Sequence, residues 1–366
     1  DEFGVAILPA VLTPDECDEC LPHIHQFYEN LTRNMKVPYN HTDPKTFKTL
    51  AELHRLHSML FQGYGIGQCQ GSWNVRQNQK VYAAFAALWG DEDLLTSMDG
   101  MAYQIAPELI PGNRSDVGFF KHTWFHTDQS YTRNELECVQ GQVPLFDVTP
   151  GDATLLVLEG SHKLHGAFAE RYGVGSKSDW FLIEQRGKEI SDYKQFYLDN
   201  GCQLRRISCP RGSLILWDSR TIHCGSEPIR GRPNRDHWRS VVYVCMTPRN
   251  LCTKQNMDLR IKAFQELETT SHWPHRLNIF ETLATGRFTT HSPDINLADQ
   301  VRPELTELGQ RLLVGAELAP QFAELVGERR RREKILRVKE NGRPESAKDR
   351  AVAAGAVSSE KKRRVQ

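Results

Sequence analysis

A chain of 366 residues can hold one large domain or two ordinary ones, with ample material for a core. At 39% hydrophobic and 25% charged, with 46 basic residues against 46 acidic ones, its composition is that of a soluble globular protein. No apolar run approaches the ~20 residues needed to cross a bilayer, so a membrane-spanning role is excluded from the expectations. The charge is unevenly placed. From Arg329 onward there are 14 Lys+Arg against 5 Asp+Glu, leaving 32 basic and 41 acidic residues before it. An acidic body argues against a nucleic-acid-binding core and leaves only tail contacts for such a partner. Nine cysteines scattered through a long chain fit reduced thiols inside a cell, which predicts an intracellular, cytoplasmic protein. The opening residues Asp1-Glu2-Phe3-Gly4-Val5 lack the basic-then-apolar pattern of a secretory signal. The missing initial Met points to a trimmed extension.

Val5 to Leu8 reads as a short strand. Thr13-Pro14-Asp15-Glu16 then has the form of a helix start, with Thr as N-cap, Pro in the first turn and Glu at the capping-box position. Cys17, Leu21, Ile24, Tyr28 and Leu31 follow at helical spacing and predict one buried face, with a kink at Pro22. Cys17, Cys20, His23 and His25 lack a second ligand pair at zinc-finger spacing and read as core rather than zinc ligands. A polar, loop-rich stretch from Tyr39 to Gly71 contains a helical patch around Leu50 to Leu60. Its Gly63-Tyr64-Gly65-Ile66-Gly67 run has no buried strand before it and no helix expected after it, so a dinucleotide site is rejected. Val81, Phe85 and Leu88 or Trp89 mark a further helix closed by Gly90.

From Leu94 to about Val244 the texture changes. The segments Leu94–Ile105, Trp124–Asp128, Cys138–Val143, Thr154–Leu158, Leu204–Ser208, Ser213–Trp217 and Trp238–Met246 are short, apolar or alternating, and bounded by turn residues. Few helices alternate with them, which predicts an antiparallel sandwich or barrel; among these the jelly roll commonly houses metals. His162 to Asp199 reads as an insertion of helices and loops. Met257, Ile261, Phe264 and Leu267 predict a helix ahead of His272-Trp273-Pro274-His275, and Leu305 to Leu325 predicts another. The expected organisation is one domain over residues 1–326, with an N-terminal helical region (1–93), a mainly β core (94–248) and a C-terminal helical region (249–326). The charged tail 327–366 is expected to be disordered, with nuclear import or polyanion contact as its alternative role.

Within the β core, residues two apart on a strand share a face. His126 and Asp128 therefore present an imidazole and a carboxylate to one point. His223, from another strand, completes two histidines and one carboxylate, a set that favours non-haem Fe(II) in oxygen chemistry.

Three stretches in order carry a family resemblance: His126-Thr127-Asp128-Gln129, Gly151 to Lys163 with its Gly160-Ser161-His162-Lys163 turn, and Gly212 to His223 with Arg239 downstream. Together they resemble the phytanoyl-CoA dioxygenase family of Fe(II)- and 2-oxoglutarate-dependent oxygenases, over roughly residues 94 to 248. The resemblance implies a double-stranded β-helix, a kind of jelly roll. It implies Fe(II) on His126, Asp128 and His223, 2-oxoglutarate held by Arg239 with Gln142 lining its pocket, and O2 as oxidant. The expected reaction is hydroxylation of a small-molecule C–H bond with release of succinate and CO2. Two departures stand out. The gap between His223 and Arg239 is long, which makes Arg232 and Arg235 competitors, and Glu159 replaces a common Pro. Asp128, which halogenating members replace by a small residue, is present. Residues flanking the expected open end supply substrate candidates: Trp73, Asn74, Arg76, Tyr103, Gln104, Gln129 and the His272–His275 segment. The rival readings are a cupin-like metal-holding protein without turnover and a zinc-dependent hydrolase on the same ligands.

Overall fold

The computed structural model describes residues 2–53, 59–113, 118–175, 177–184, 191–280 and 294–322. The chain divides into a unit of Asp1–Glu317 and a C-terminal unit of Leu318–Gln366, in which only residues 318–322 are described. The expected basic tail and the last portion of the predicted 305–325 helix lie outside the described residues.

The strands of the larger unit are β1 (Val5–Leu8), β2 (Leu60–Phe61), β3 (Leu94–Thr96), β4 (Met101–Gln104), β5 (His126–Thr127), β6 (Val139–Pro144) and β7 (Thr154–Glu159). They continue with β8 (Phe181–Leu182), β9 (Gln203–Arg206), β10 (Leu214–Asp218), β11 (His223–Ser226) and β12 (Arg239–Pro248). All the described pairings among them are antiparallel, and they form two sheets. The larger runs β1-β10-β6-β12-β4-β2, with β3 beside β12, and the smaller runs β8-β5-β11-β7-β9. This is the mainly β, jelly-roll core with flanking helices that the strand texture predicts.

Among the described residues eight helices flank the sheets: α1 (Pro14–Thr32), α2 (Phe47–Leu53), α3 (Gln70–Arg76), α4 (Gln79–Trp89), α5 (His165–Tyr172), α6 (Asp192–Asp199), α7 (Lys254–Gln265) and α8 (Glu307–Val314). In α1 the capping box is made as the sequence dictates: the Glu16 N–H donates to Thr13 Oγ1 and the Thr13 N–H to Glu16 Oε2, at 3.2 and 2.7 Å. The helix passes through Pro22 on its exposed side, where proline has no N–H to donate to the Asp18 carbonyl. Its buried stripe of Cys17, Cys20, Ile24, Tyr28 and Leu31 packs with Val81 and Phe85 of α4 and Leu308 and Leu312 of α8 against the outer face of the large sheet. Gly90 ends α4 with φ of 62°, in the left-handed region where a residue without Cβ is unstrained.

The outer face of the small sheet is covered by the insertion, whose Phe168 and Tyr197 pack on Leu156, Leu158, Ile222 and Cys224. Between the sheets lie Leu155, Val157, Ile207, Ile215 and Trp217. Two buried guanidinium groups tie the helices to the core. Arg76 donates to the carbonyls of Gly67, Asp99 and Tyr243, and Arg260 to those of Thr96, Pro274, Leu312 and Leu313. Each hydrogen bond to a charged group stabilises by about 1.5–3 kcal/mol when its partners are buried.

Four expectations are corrected. Leu60 belongs to strand β2, paired with β4, not to a helical patch whose residues 54–58 lie outside the described set. A helix, α3, does open three residues after Gly67, and the two-residue strand β2 precedes the glycine run, with a 3-10 turn at Ile66–Gln68 between them. The predicted Leu94–Ile105 strand is two strands separated by Ser97–Gly100, because Arg76 draws the Asp99 carbonyl out of the ladder. The helix expected at 305–325 is interrupted: α8 ends at Val314, before Gly315, and helix resumes over residues 319–322.

Candidate metal centre

His126 on β5 and His223 on β11 are direct cross-strand partners, so the sheet ladder sets both imidazoles side by side, with ring centroids 4.4 Å apart. Asp128 follows one residue beyond the end of β5, its N–H bonded to the Ser219 carbonyl. Asp128 Oδ2 lies 3.7 Å from His126 Nε2 and 3.3 Å from His223 Nε2. One ligand atom from each of the three residues lies within 4.8 Å of the other two; among the described residues this is the His/Cys/Asp/Glu cluster able to hold an ion. Cys17 and Cys20, read as core, are buried in the α1 stripe.

The donors are prepared for a metal. His126 Nδ1 faces the Trp124 carbonyl at 3.2 Å and His223 Nδ1 the Thr221 carbonyl at 2.9 Å. With the proton on Nδ1 in each ring, both Nε2 lone pairs point to the shared centre. Burial pushes the His126 imidazole below its ordinary value, against the pull of the neighbouring Asp128. Burial pushes the Asp128 carboxyl up, but the neighbouring His126, His272 and His223 outweigh it and hold the group well below the usual carboxylate range. Two imidazoles and one carboxylate make up the donor set of a divalent non-haem iron site with open positions. Gln140 on the large sheet donates to Asp128 Oδ2 at 3.0 Å, and the Trp124 indole stacks on His126 at 4.7 Å.

From Gln140 the inner face of the large sheet leads to Arg239. Gln142 follows two residues along β6 and pairs with Tyr243 of β12, so both share the inner face. Arg239 lies four residues before Tyr243, on that same face. It is 4% exposed, donates once, to the Ala153 carbonyl at 3.1 Å, and interacts with the Tyr243 phenol. Its Nε and Nη2, and the Oε1 of Gln142, have no hydrogen-bond partner among the described residues. A buried cation with unspent donors calls for an anion, and a guanidinium fork matches a carboxylate. The competitors are otherwise engaged: Arg232 pairs with Asp152 and Glu108 at 3.2 Å each, and Arg235 is exposed.

The substrate candidates divide. Gln104 pairs with Arg239 on the inner face and donates to the Gly118 carbonyl. Tyr103 therefore points the other way, into the helix-side core, where its hydroxyl meets Tyr39 and His25. Arg76 is consumed by backbone carbonyls, and Trp73 packs on Phe264 and donates to Gln68. Asn74 accepts from Gln70 on α3. Gln129 is saturated by the Arg133 and Glu135 carbonyls and the Ser219 hydroxyl, which makes it a brace for the loop after Asp128. Of the 272–275 segment, His275 bonds Thr247 and Trp273 stacks under Arg276, whereas His272 acts electrostatically on Asp128. Sequence reasoning missed Gln140 and Tyr243, which were within reach, since each lies at an even spacing on its strand from Gln142 or Arg239.

No protein-family model matches the chain. Ava biosynthesis cluster protein O of Aspergillus versicolor is 27% identical over 215 residues, or 58% of this chain and 66% of that protein, so the match spans just under two thirds of the relative. Among solved structures the chain is similar to the epimerase SnoN in complex with Fe3+, alpha-ketoglutarate and nogalamycin RO (14% identity, TM-score 0.43, 68% of this chain and 80% of that one). It is similar to EctD from S. alaskensis with 2-oxoglutarate and 5-hydroxyectoine (14%, 0.41, 68% and 74%). GlcNAc Inducible Gene 2 from Candida albicans gives 14%, 0.47, 87% and 79%. At these scores the structural likenesses bear no weight in the functional reading.

Proposed function

We propose that this chain is a non-haem Fe(II)- and 2-oxoglutarate-dependent oxygenase that hydroxylates a C–H bond of a small molecule. The observation that carries the reading is the pairing of the His126-Asp128-His223 centre with a buried arginine whose donors are unspent. A metal-holding protein without turnover, or a zinc hydrolase, has no use for such an arginine. When bound, Fe(II) and 2-oxoglutarate supply O2 activation coupled to oxidative loss of CO2, leaving succinate.

The protein's share is orientation and exclusion of water. His126 and His223 offer Nε2, and Asp128 offers a carboxylate oxygen that Gln140 holds in place. Arg239 takes the distal carboxylate of 2-oxoglutarate, with Tyr243 and Gln142 beside it on the same face. Trp124 and Trp217, ringed against His126 and His223, exclude water from the metal's flank. The narrower likeness to the phytanoyl-CoA dioxygenase family rests on the three sequence stretches alone. The relative's place in a biosynthesis cluster agrees with a small-molecule substrate.

Anaerobic addition of Fe(II) and then 2-oxoglutarate tests the reading without knowledge of the substrate. The expected result is a weak visible metal-to-ligand charge-transfer band that Asp128→Ala abolishes. Activity with zinc in the absence of O2, or no band with Fe(II) bound, overturns it.

A further inference from the structure

β8 pairs with β5 in the register His126↔Leu182 and Thr127↔Phe181. Leu182 therefore shares the face of His126, and Trp180, two residues earlier, shares it too. Phe181 turns to the other face and packs on Tyr131 and Phe168. Trp180 and Leu182 thus stand on the metal-facing side of the sheet, yet they are 47% and 36% exposed. The Trp180 ring lies 5.9 Å from that of His126, tilted by 33°. Water-exposed indole beside a metal ligand costs hydrophobic free energy that packing elsewhere would recover.

The backbone under this indole is fixed. Asp179 is bound by Arg133 and Arg276, and Arg276 lies 3.8 Å over the Trp273 ring. The metal site thus has an exposed aromatic shelf on one side. Arg133 and Arg276 are committed to Asp179 and Glu137, so the cations nearest the shelf are not disposed to hold a phosphate.

We infer that the prime substrate carries a planar aromatic ring that stacks on Trp180. This rests on the oxygenase reading above and names the substrate class of the same site.

The test uses the full chain loaded with Co(II) and 2-oxoglutarate under nitrogen, with phenol, cyclohexanol and toluene as probes. Paramagnetic relaxation of probe protons reports occupancy beside the metal, independently of turnover. Phenol and toluene are each expected to bind at least tenfold more tightly than cyclohexanol. Trp180→Ala brings phenol to the level of cyclohexanol. Trp180 is exposed enough that its replacement leaves the core intact. Phenol that is not relaxed, or is bound equally by Trp180→Ala, overturns the substrate class while leaving the oxygenase standing. Co(II) retention unchanged by His126→Ala and Asp128→Ala overturns the oxygenase reading itself.

Discussion

Replacing Arg239 by Met separates a ligand-binding arginine from a structural one. The guanidinium is buried, gives one hydrogen bond to the Ala153 carbonyl, and leaves Nε and Nη2 unspent. If those two donors meet the distal carboxylate of 2-oxoglutarate, each is a charge-assisted hydrogen bond of about 1.5–3 kcal/mol. Their joint loss weakens 2-oxoglutarate binding by ~3–6 kcal/mol, or on the order of 10²- to 10⁴-fold. The same replacement removes an unpaired buried charge from the ligand-free protein, so the melting temperature is expected to hold or rise. Arg239→Lys keeps the charge without the fork and falls between. Anaerobic titration of the Fe(II) protein with 2-oxoglutarate, read by the charge-transfer band and by calorimetry, gives the affinities; differential scanning gives the stabilities. Affinity within threefold of the parent, together with a marked fall in melting temperature, would refute the assignment and make Arg239 a core staple.

Other outcomes follow from the same geometry. Arg232→Met is expected to leave 2-oxoglutarate affinity unchanged but to destabilise by about 3–5 kcal/mol, because Asp152 and Glu108 lose their buried partner; urea unfolding checks this, and weakened 2-oxoglutarate binding would move the anchor to Arg232. Gln140→Leu frees Asp128 Oδ2 from its one described amide donor and is expected to lower Fe(II) affinity about 10- to 100-fold, as loss of an outer-shell partner does; equilibrium dialysis of the metal measures it. The His165 imidazole, 2% exposed, is pushed down to about 4 by burial, against a hydrogen bond to the Ser130 carbonyl that raises it. Its folded value lies below the unfolded one, so the unfolded state binds the extra proton. The stability tied to neutral His165 is therefore complete above about pH 6.5 and is lost as pH falls toward 4. Urea midpoints at pH 7.5 and 5 should converge for His165→Gln relative to the parent; an unchanged difference refutes the claim.

Much of this architecture could be read from residues, and the failures have physical causes. The capping box at Thr13, the C-cap at Gly90 and the antiparallel texture came from local rules that tertiary contacts did not override. The triad was legible because period-two spacing places His126 and Asp128 together. The strand carrying His223 was not, since His223-Cys224-Gly225-Ser226 has little strand propensity. Gly225 fits closely there: a Cβ would sit 3.3 Å from the Met59 sulfur, which would have to shift slightly, and 3.6 Å from the Trp124 ring, an ordinary contact. Tyr103 and Gln104 could not both face the site on one strand, and alternation alone would have excluded one of them. Trp180 escaped notice because the two-residue strand that follows it, β8, is defined by pairing with β5, a contact between segments more than fifty positions apart.

The direct pairing of His126 with His223 has a consequence for how the chain folds. A slip of one residue between β5 and β11 turns one imidazole to the opposite face, and the centre cannot form. Metal capture is thus a checkpoint on strand alignment: a misaligned small sheet stays metal-free, and the bound ion withdraws the correct alignment from exchange with its neighbours. Amide protons of β5, β11 and β7 should accordingly exchange more slowly in the metal-loaded protein, while those of β9, at the far edge, keep their own pace.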